Sequence, residues 1–146
     1  MDIMSKLPER LKDLMAEAEL STPQLAEKIN IDHSAISKFL NAERLPSATT
    51  LVNLADVFNC TTDYLIGKSD ILDDRAFKQR PPFSEQLTYL LKYFKITQYR
   101  LIKEAKIAEQ TVINWRKGKY EPTIESLIKL SKYFKCSVDF ILGREI

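Results

Sequence analysis

Ser21-Thr22-Pro23-Gln24-Leu25-Ala26-Glu27-Lys28-Ile29-Asn30-Ile31-Asp32-His33-Ser34-Ala35-Ile36-Ser37-Lys38-Phe39-Leu40-Asn41 holds two helix signals separated by a three-residue break. Ser21 followed three residues later by Gln24 fits a capping box, in which hydroxyl and amide satisfy the free backbone N–H groups that open a helix. That helix runs through Ile29. Asn30-Ile31-Asp32 interrupts it, and Asp32 is a good N-cap for another helix from His33 to about Asn41, with Ile36 and Phe39 facing inward. The flanking sequence supplies the rest of a core. Leu7, Leu11, Leu14 and Ala18 recur at helical spacing, which predicts an amphipathic helix from Pro8 to Ala18 with Pro8 in its first turn. Pro46-Ser47 stops one segment and caps the next, whose core stripe is Leu51, Leu54, Ala55 and Phe58. Thr61 caps a short fifth helix, and Asp63 in its first turn complements the helix dipole.

The same pattern occurs twice. Segment 7–67 aligns without a gap on segment 83–143 at a constant offset of 76, with 12 of 61 pairs identical. The identities include Leu11/Leu87, Leu25/Leu101, Pro46/Pro122, Leu54/Leu130, Cys60/Cys136, Asp63/Asp139 and Gly67/Gly143. Nearly all are apolar or punctuation residues, as expected of two copies of one small fold whose cores are constrained and whose surfaces are free to differ. Thr97, Thr123 and Ser137 are the caps of the second copy; Ala108 stands where Asp32 was and makes a poor one. Strict apolar/polar alternation never persists, so the expectation is an all-α chain of two five-helix domains in tandem. The first spans 1–68 and the second 83–146. The linker is 69–82, within which Ile71, Leu72 and Phe77 are able to dock on a domain.

Composition narrows the function classes. The whole-chain charge of +2 conceals an asymmetry: residues 1–75 hold 8 basic and 13 acidic residues, whereas residues 76–146 hold 14 and 7. Three glycines leave little material for phosphate loops, and no G-x-G-x-x-G or G-x-x-x-x-G-K pattern occurs. Cys60 and Cys136 are too far apart for a C-x-x-C site and read as equivalent small core residues, reduced in a cytoplasmic setting. No cofactor, metal or catalytic role is expected. No stretch approaches the ~20 apolar residues that a membrane span requires.

Both copies resemble the helix-turn-helix domain of the phage repressor and Cro type, the Xre family. The second matches in Ile96-Thr97-Gln98, in Thr111-Val112-Ile113-Asn114-Trp115 followed by Lys117-Gly118-Lys119, in Pro122-Thr123, and in Ser137-Val138-Asp139-Phe140-Ile141-Leu142-Gly143. The first matches in Leu25-Ala26-Glu27-Lys28, Ser34-Ala35-Ile36-Ser37, Pro46-Ser47 and Thr61-Thr62-Asp63-Tyr64-Leu65-Ile66-Gly67. The resemblance implies a third helix that enters the DNA major groove and a second helix whose start, Thr22 or Gln98, touches phosphate. The first copy departs from the pattern at Ala42, where a glycine usually ends the recognition helix as Gly118 does; an altered turn is expected there.

Helical geometry supports the same face. In the first copy the outward stripe is His33, Ser34, Ser37, Lys38 and Asn41, opposite Ile36 and Phe39. In the second it is Glu109, Gln110, Ile113, Asn114 and Lys117, with Thr111 beside it. Gln and Asn pair bidentately with adenine, Lys with guanine, Glu accepts from cytosine and Ile113 meets a thymine methyl. Phosphate contacts need cations around the reading helix. The second copy offers Arg100, Lys103, Arg116, Lys117 and Lys119; the equivalent first-copy positions are Gln24, Glu27, Leu40, Asn41 and Glu43, leaving Lys38 and Arg44. His33 reads either as a base or phosphate contact or as an ordinary surface histidine.

Tyr89 and Tyr93 replace Asp13 and Glu17 on the outward face of the second copy's first helix. They form an interface, between copies or with another chain, or else cover their own domain. The expected function is sequence-specific binding of double-stranded DNA by a transcriptional repressor. The alternative is an antitoxin-like adaptor, in which the acidic first copy is a dimerisation or partner-binding module.

Overall fold

A computed structural model describes residues 3–73 and 75–145. The described residues form ten α-helices and no strand. They are α1 (Ile3–Glu17), α2 (Thr22–Ile29), α3 (His33–Leu40), α4 (Ala48–Phe58) and α5 (Thr62–Leu65), then α6 (Phe83–Tyr93), α7 (Gln98–Ala105), α8 (Glu109–Lys117), α9 (Ile124–Phe134) and α10 (Val138–Leu142). The chain divides into two compact units, Met1–Ala76 and Phe77–Ile146. No helix among the described residues is long and apolar enough to cross a membrane.

The caps act where the sequence places them. The Ser21 side chain accepts from the Gln24 N–H while the Gln24 amide oxygen accepts from the Ser21 N–H, at 3.3 and 2.9 Å, closing the capping box. Asp32, Ser47, Thr61, Thr97, Thr123 and Ser137 each accept a backbone N–H from the helix that follows. Ala108 has no side-chain bond to give α8. Each unit closes around a core of the repeated apolar residues: Leu11, Leu25, Ile36, Leu51, Leu54 and Leu65 in the first, and Leu87, Leu101, Val112, Leu127, Leu130 and Ile141 in the second, all fully buried.

The repeat extends to backbone handedness. The left-handed residues among those described are Glu19, Asn30, Ala42, Asn59 and Gly67 in the first unit and Lys95, Lys106, Gly118, Lys135 and Gly143 in the second. These are five pairs at the offset of 76. They lie just past helix ends, where a left-handed residue lets a following N–H satisfy an orphan carbonyl of the last turn.

Two local expectations are corrected. Helix α1 starts at Ile3, so Pro8 lies inside the helix and not in its first turn. Pro8 has no N–H to give the Met4 carbonyl, a loss of one bond. Leu7, the first residue of the periodic stripe, is fully buried, and a contact that periodicity cannot reveal lies before it: Lys6 packs so tightly on Gly67 that a Cβ there would sit 2.5 Å from the Lys6 Cβ. At Ala42 the turn is not altered in hand. Ala42 adopts φ 59° as Gly118 adopts 73°, and the Glu43 N–H reaches the Lys38 carbonyl at 2.8 Å as Lys119 reaches Asn114 at 3.0 Å. Alanine takes the left-handed corner that glycine takes in the second copy, and α3 merely ends one position earlier than α8.

The segment between the two domains is held at both ends by arginines. Arg10 donates to the Tyr64 carbonyl at 2.5 Å, to the Ser69 carbonyl, and to the Asp70 carboxylate at 2.6 Å. In the second unit Gln86, the counterpart of Arg10, donates to the Phe140 carbonyl, the counterpart of Tyr64, at 3.1 Å. From Phe77 onward the chain belongs to the second unit. The fully buried Arg144 pairs with Asp139 at 2.5 Å and lies over the Phe77 ring at 4.1 Å, and its carbonyl accepts the Lys78 N–H at 2.9 Å. Arg80 forks onto both oxygens of Glu121, at 2.9 and 2.5 Å, and the same carboxylate accepts the Phe83 N–H that opens α6. Ile71 and Leu72 remain exposed.

A left-handed L-residue costs about 1–2 kcal/mol, part of which glycine's unfolded-state freedom offsets. Ala42→Gly is therefore expected to stabilise the protein by about 0.5–1 kcal/mol. Denaturant melts of the full chain check this, and a lower midpoint would show that the corner is not strained.

Candidate nucleic-acid interface

Each unit presents the outer face of its third helix, α3 or α8, and the opening of the helix before it. In the second unit Val112 and Trp115 are buried, with Trp115 edge-on to Phe83 at a centroid distance of 5.6 Å. That anchor turns Glu109, Gln110 and Lys117 fully outward and leaves Thr111, Ile113 and Asn114 half-buried along the flank. Gln110 donates from Nε2 to Asn114 Oδ1 at 3.1 Å, and Asn114 donates from Nδ2 to the Tyr120 hydroxyl oxygen at 3.1 Å. Gln98, at the start of α7, accepts from Arg116 Nη1 at 3.0 Å, which ties the beginning of α7 to the end of α8. Lys117 and Lys119 are exposed and carry no ion pair among the described residues.

Arg100 is placed differently from the other cations. Its Nε donates to Glu104 Oε2 at 2.9 Å, one turn along α7, and Glu104 Oε1 accepts from the Tyr133 hydroxyl at 2.5 Å. The Tyr133 hydroxyl and then the arginine hold the Glu104 carboxyl below its ordinary range, while burial and the carboxylate push the Tyr133 phenol up. Arg100 thus has a carboxylate at its Nε, and its two Nη groups stay clear of that contact.

In the first unit Thr22 is half-buried at the start of α2, and His33, Ser34, Lys38, Asn41 and Arg44 are exposed. Ser37 is half-buried and turns its hydroxyl onto the His33 carbonyl at 3.3 Å. Asp32 accepts from the Ser34 N–H at 3.0 Å, and this bond, with smaller contributions from His33 and Lys38, holds its carboxyl low. Arg44 lies over the Phe39 ring at 5.4 Å. No side-chain chain like Gln110–Asn114–Tyr120 links this stripe. Among the described residues no cluster of His, Cys, Asp and Glu is able to hold a metal ion.

Tyr89 and Tyr93 are 50% and 55% exposed, so each is both covering and open. Their rings lie 5.7 Å apart, and Tyr93 packs near Phe94 at 4.9 Å and Phe140 at 5.1 Å, while Phe94 stacks on Phe134 at 4.3 Å. The first unit has Asp13, Glu17 and Ala18 where this row has Tyr89, Tyr93 and Phe94. Sequence reasoning missed Tyr120, which no helical spacing connects to Asn114, and Glu104, whose four-residue separation from Arg100 was a legible signal.

A family model described as helix-turn-helix matches residues 11–65 and 90–141, well over half of the chain and once in each unit. The chain is 35% identical over 65 residues to the HTH-type transcriptional regulator ImmR of Bacillus subtilis, covering 44% of this chain and 51% of that protein. It is 41% identical over 58 residues to the HTH-type transcriptional regulator DicA of Escherichia coli, covering 40% and 43%. An uncharacterized HTH-type transcriptional regulator of Methanocaldococcus jannaschii is 34% identical over 55 residues, covering 35% of this chain and 83% of that protein. The matches thus span about half the length of the first two relatives. No solved structure matches. With one match on each five-helix unit, the chain belongs to the Xre-type helix-turn-helix family of DNA-binding transcription regulators, in two tandem copies.

Proposed function

We propose that the second copy reads duplex DNA by sequence, with α8 in the major groove and the start of α7 on the phosphate backbone, and that the protein represses transcription by covering a promoter. The observation that carries this reading is the face of α8. Exposed Glu109, Gln110 and Lys117, with half-buried Asn114 beside them, stand on a buried Val112/Trp115 anchor, and Lys117 and Lys119 carry no ion pair among the described residues. Amide side chains read adenine bidentately and lysine reads guanine or neutralises phosphate. The first copy supports a different role. Its positions equivalent to Arg100, Lys103, Arg116, Lys117 and Lys119 carry no positive charge, so it adds little backbone affinity and serves as an interaction module. The half-exposed tyrosine row of the second copy favours a contact with a second chain, because exposed aromatic rings in a group mark interfaces more than isolated ones do.

Salt titration tests the division of labour. Each phosphate contact contributes about −0.9 to the slope of log K against log salt. Replacing Lys117 and Lys119 with Ala in the full chain is expected to flatten the slope by about 1.8, whereas Lys38→Ala with Arg44→Ala leaves it nearly unchanged. Equal effects from the two pairs would assign both copies to the backbone. Glu104→Gln should release Arg100, steepening the slope by about 0.9 and tightening binding to every duplex; an unchanged slope removes Arg100 from the contact set. The tyrosine row is tested by Tyr89→Asp together with Tyr93→Glu, the residue types of the first copy. Sedimentation velocity is expected to show loss of a dimer that the unsubstituted chain forms, and identical profiles would reduce both tyrosines to domain cover.

A further inference from the structure

We infer that Tyr120 is a positioning residue for base recognition, holding Gln110 through Asn114 so that Gln110 is the adenine-reading side chain of α8. The inference rests on the reading of α8 proposed above and goes beyond it in dividing the stripe into one reader and two supports. The hydrogen-bond inventory makes the division. Asn114 spends its oxygen on Gln110 Nε2 and one amide hydrogen on the Tyr120 oxygen, each at 3.1 Å. Gln110 spends only one amide hydrogen. It keeps its oxygen and its second N–H, the acceptor and donor pair that the N6 and N7 edge of adenine requires.

The backbone explains how Tyr120 arrives there. Gly118 turns left at φ 73°, and the Lys119 N–H closes onto the Asn114 carbonyl at 3.0 Å, so the chain folds back over the last turn of α8. Tyr120 leaves that turn 48% exposed, with its hydroxyl against a side chain six residues earlier. Glutamine loses much rotamer freedom when it is fixed in a groove. A side chain already held by a neighbour forfeits less of it on binding, and its alternative orientations, which would suit other bases, are suppressed. The first copy cannot do this. Its equivalent positions are Ser34, Lys38 and Arg44, and Arg44 lies over Phe39 instead of reaching α3's outer face.

The experiment selects sites from a pool of random-sequence duplexes with the full chain, then titrates single-base variants of the selected site against Gln110→Ala, Asn114→Ala, Tyr120→Phe and the double variant Gln110→Ala/Tyr120→Phe. Phenylalanine keeps the ring and removes the hydroxyl. Tyr120→Phe is expected to lower discrimination about 2- to 12-fold, the worth of one hydrogen bond. The loss should fall at the base pair where Gln110→Ala abolishes discrimination, with the salt slope unchanged and no further loss in the double variant. Unaltered discrimination in Tyr120→Phe overturns the inference. So does a loss at a base pair that Gln110→Ala leaves intact, since Tyr120 would then read DNA itself, and so does a uniform loss with a flatter salt slope, which would make it a phosphate contact. If the unsubstituted chain enriches no site at all, base reading by α8 falls and the role of Tyr120 with it; an enriched site indifferent to Tyr120 sinks this inference alone.

Discussion

A helix of eight or nine residues does not persist in water on its own hydrogen bonds; about 12–15 residues are needed even for favourable sequences. Helices α3 and α8 therefore exist because their inner residues are buried: Ile36 and Phe39 in one unit, Val112 and Trp115 in the other, all at 2% exposure or less. Burying each such side chain contributes about 1.5–3 kcal/mol, a stabilisation that the short helix's own hydrogen bonds do not supply. Fixing the inner face also fixes the azimuth of the outer one. Hence the outer stripe can be His33/Ser34/Ser37/Lys38 in one copy and Glu109/Gln110/Ile113/Asn114 in the other with no change to the element beneath it.

The copies share backbone and core while solving the same local problems with different side chains. Arg10 and Gln86 have nothing in common chemically except a donor at the end of a stem, and each donates to the corresponding carbonyl, of Tyr64 or Phe140. Lys68–Asp63 at 3.5 Å and Arg144–Asp139 at 2.5 Å are likewise one arrangement drawn tighter in the second unit, where the pair is excluded from water. Charge shows the opposite behaviour. It diverges at the α2/α3 and α7/α8 faces, where nothing in the core restrains it, so the sign of each face is free to follow what that face meets.

Much of this was legible in the sequence because helix boundaries depend on local chemistry. Ser21, Asp32, Ser47 and Thr61 cap within their own turn, and a cap is visible wherever an oxygen-bearing side chain precedes an apolar period. The inner stripes were legible for the same reason. The start of α1 was not, because Lys6 meets Gly67 across sixty residues of chain and Pro8 argued locally for a later start. Ala42 argued locally for an altered turn, yet the corner keeps its hand and its closing bond from the Glu43 N–H to the Lys38 carbonyl. The docking of 77–83 through Arg144, Glu121 and Arg80 left no periodic trace, since its anchors are single residues. In the candidate site, spacing placed Gln110 and Asn114 together and could equally have paired Arg100 with Glu104; Tyr120 lies beyond the helix, where spacing says nothing about direction.

The burial of Trp115 against Phe83 has an optical side. The chain has one tryptophan, and it sits on the inner face of α8 with 1% of its surface exposed. Indole emission therefore comes from the second copy alone and is blue while that helix is seated. The first copy, with tyrosine and phenylalanine only, is silent in that channel. Anything that lifts α8 from its bed, whether denaturant or heat, writes itself into the fluorescence of the whole protein without a label, and events confined to the other copy do not.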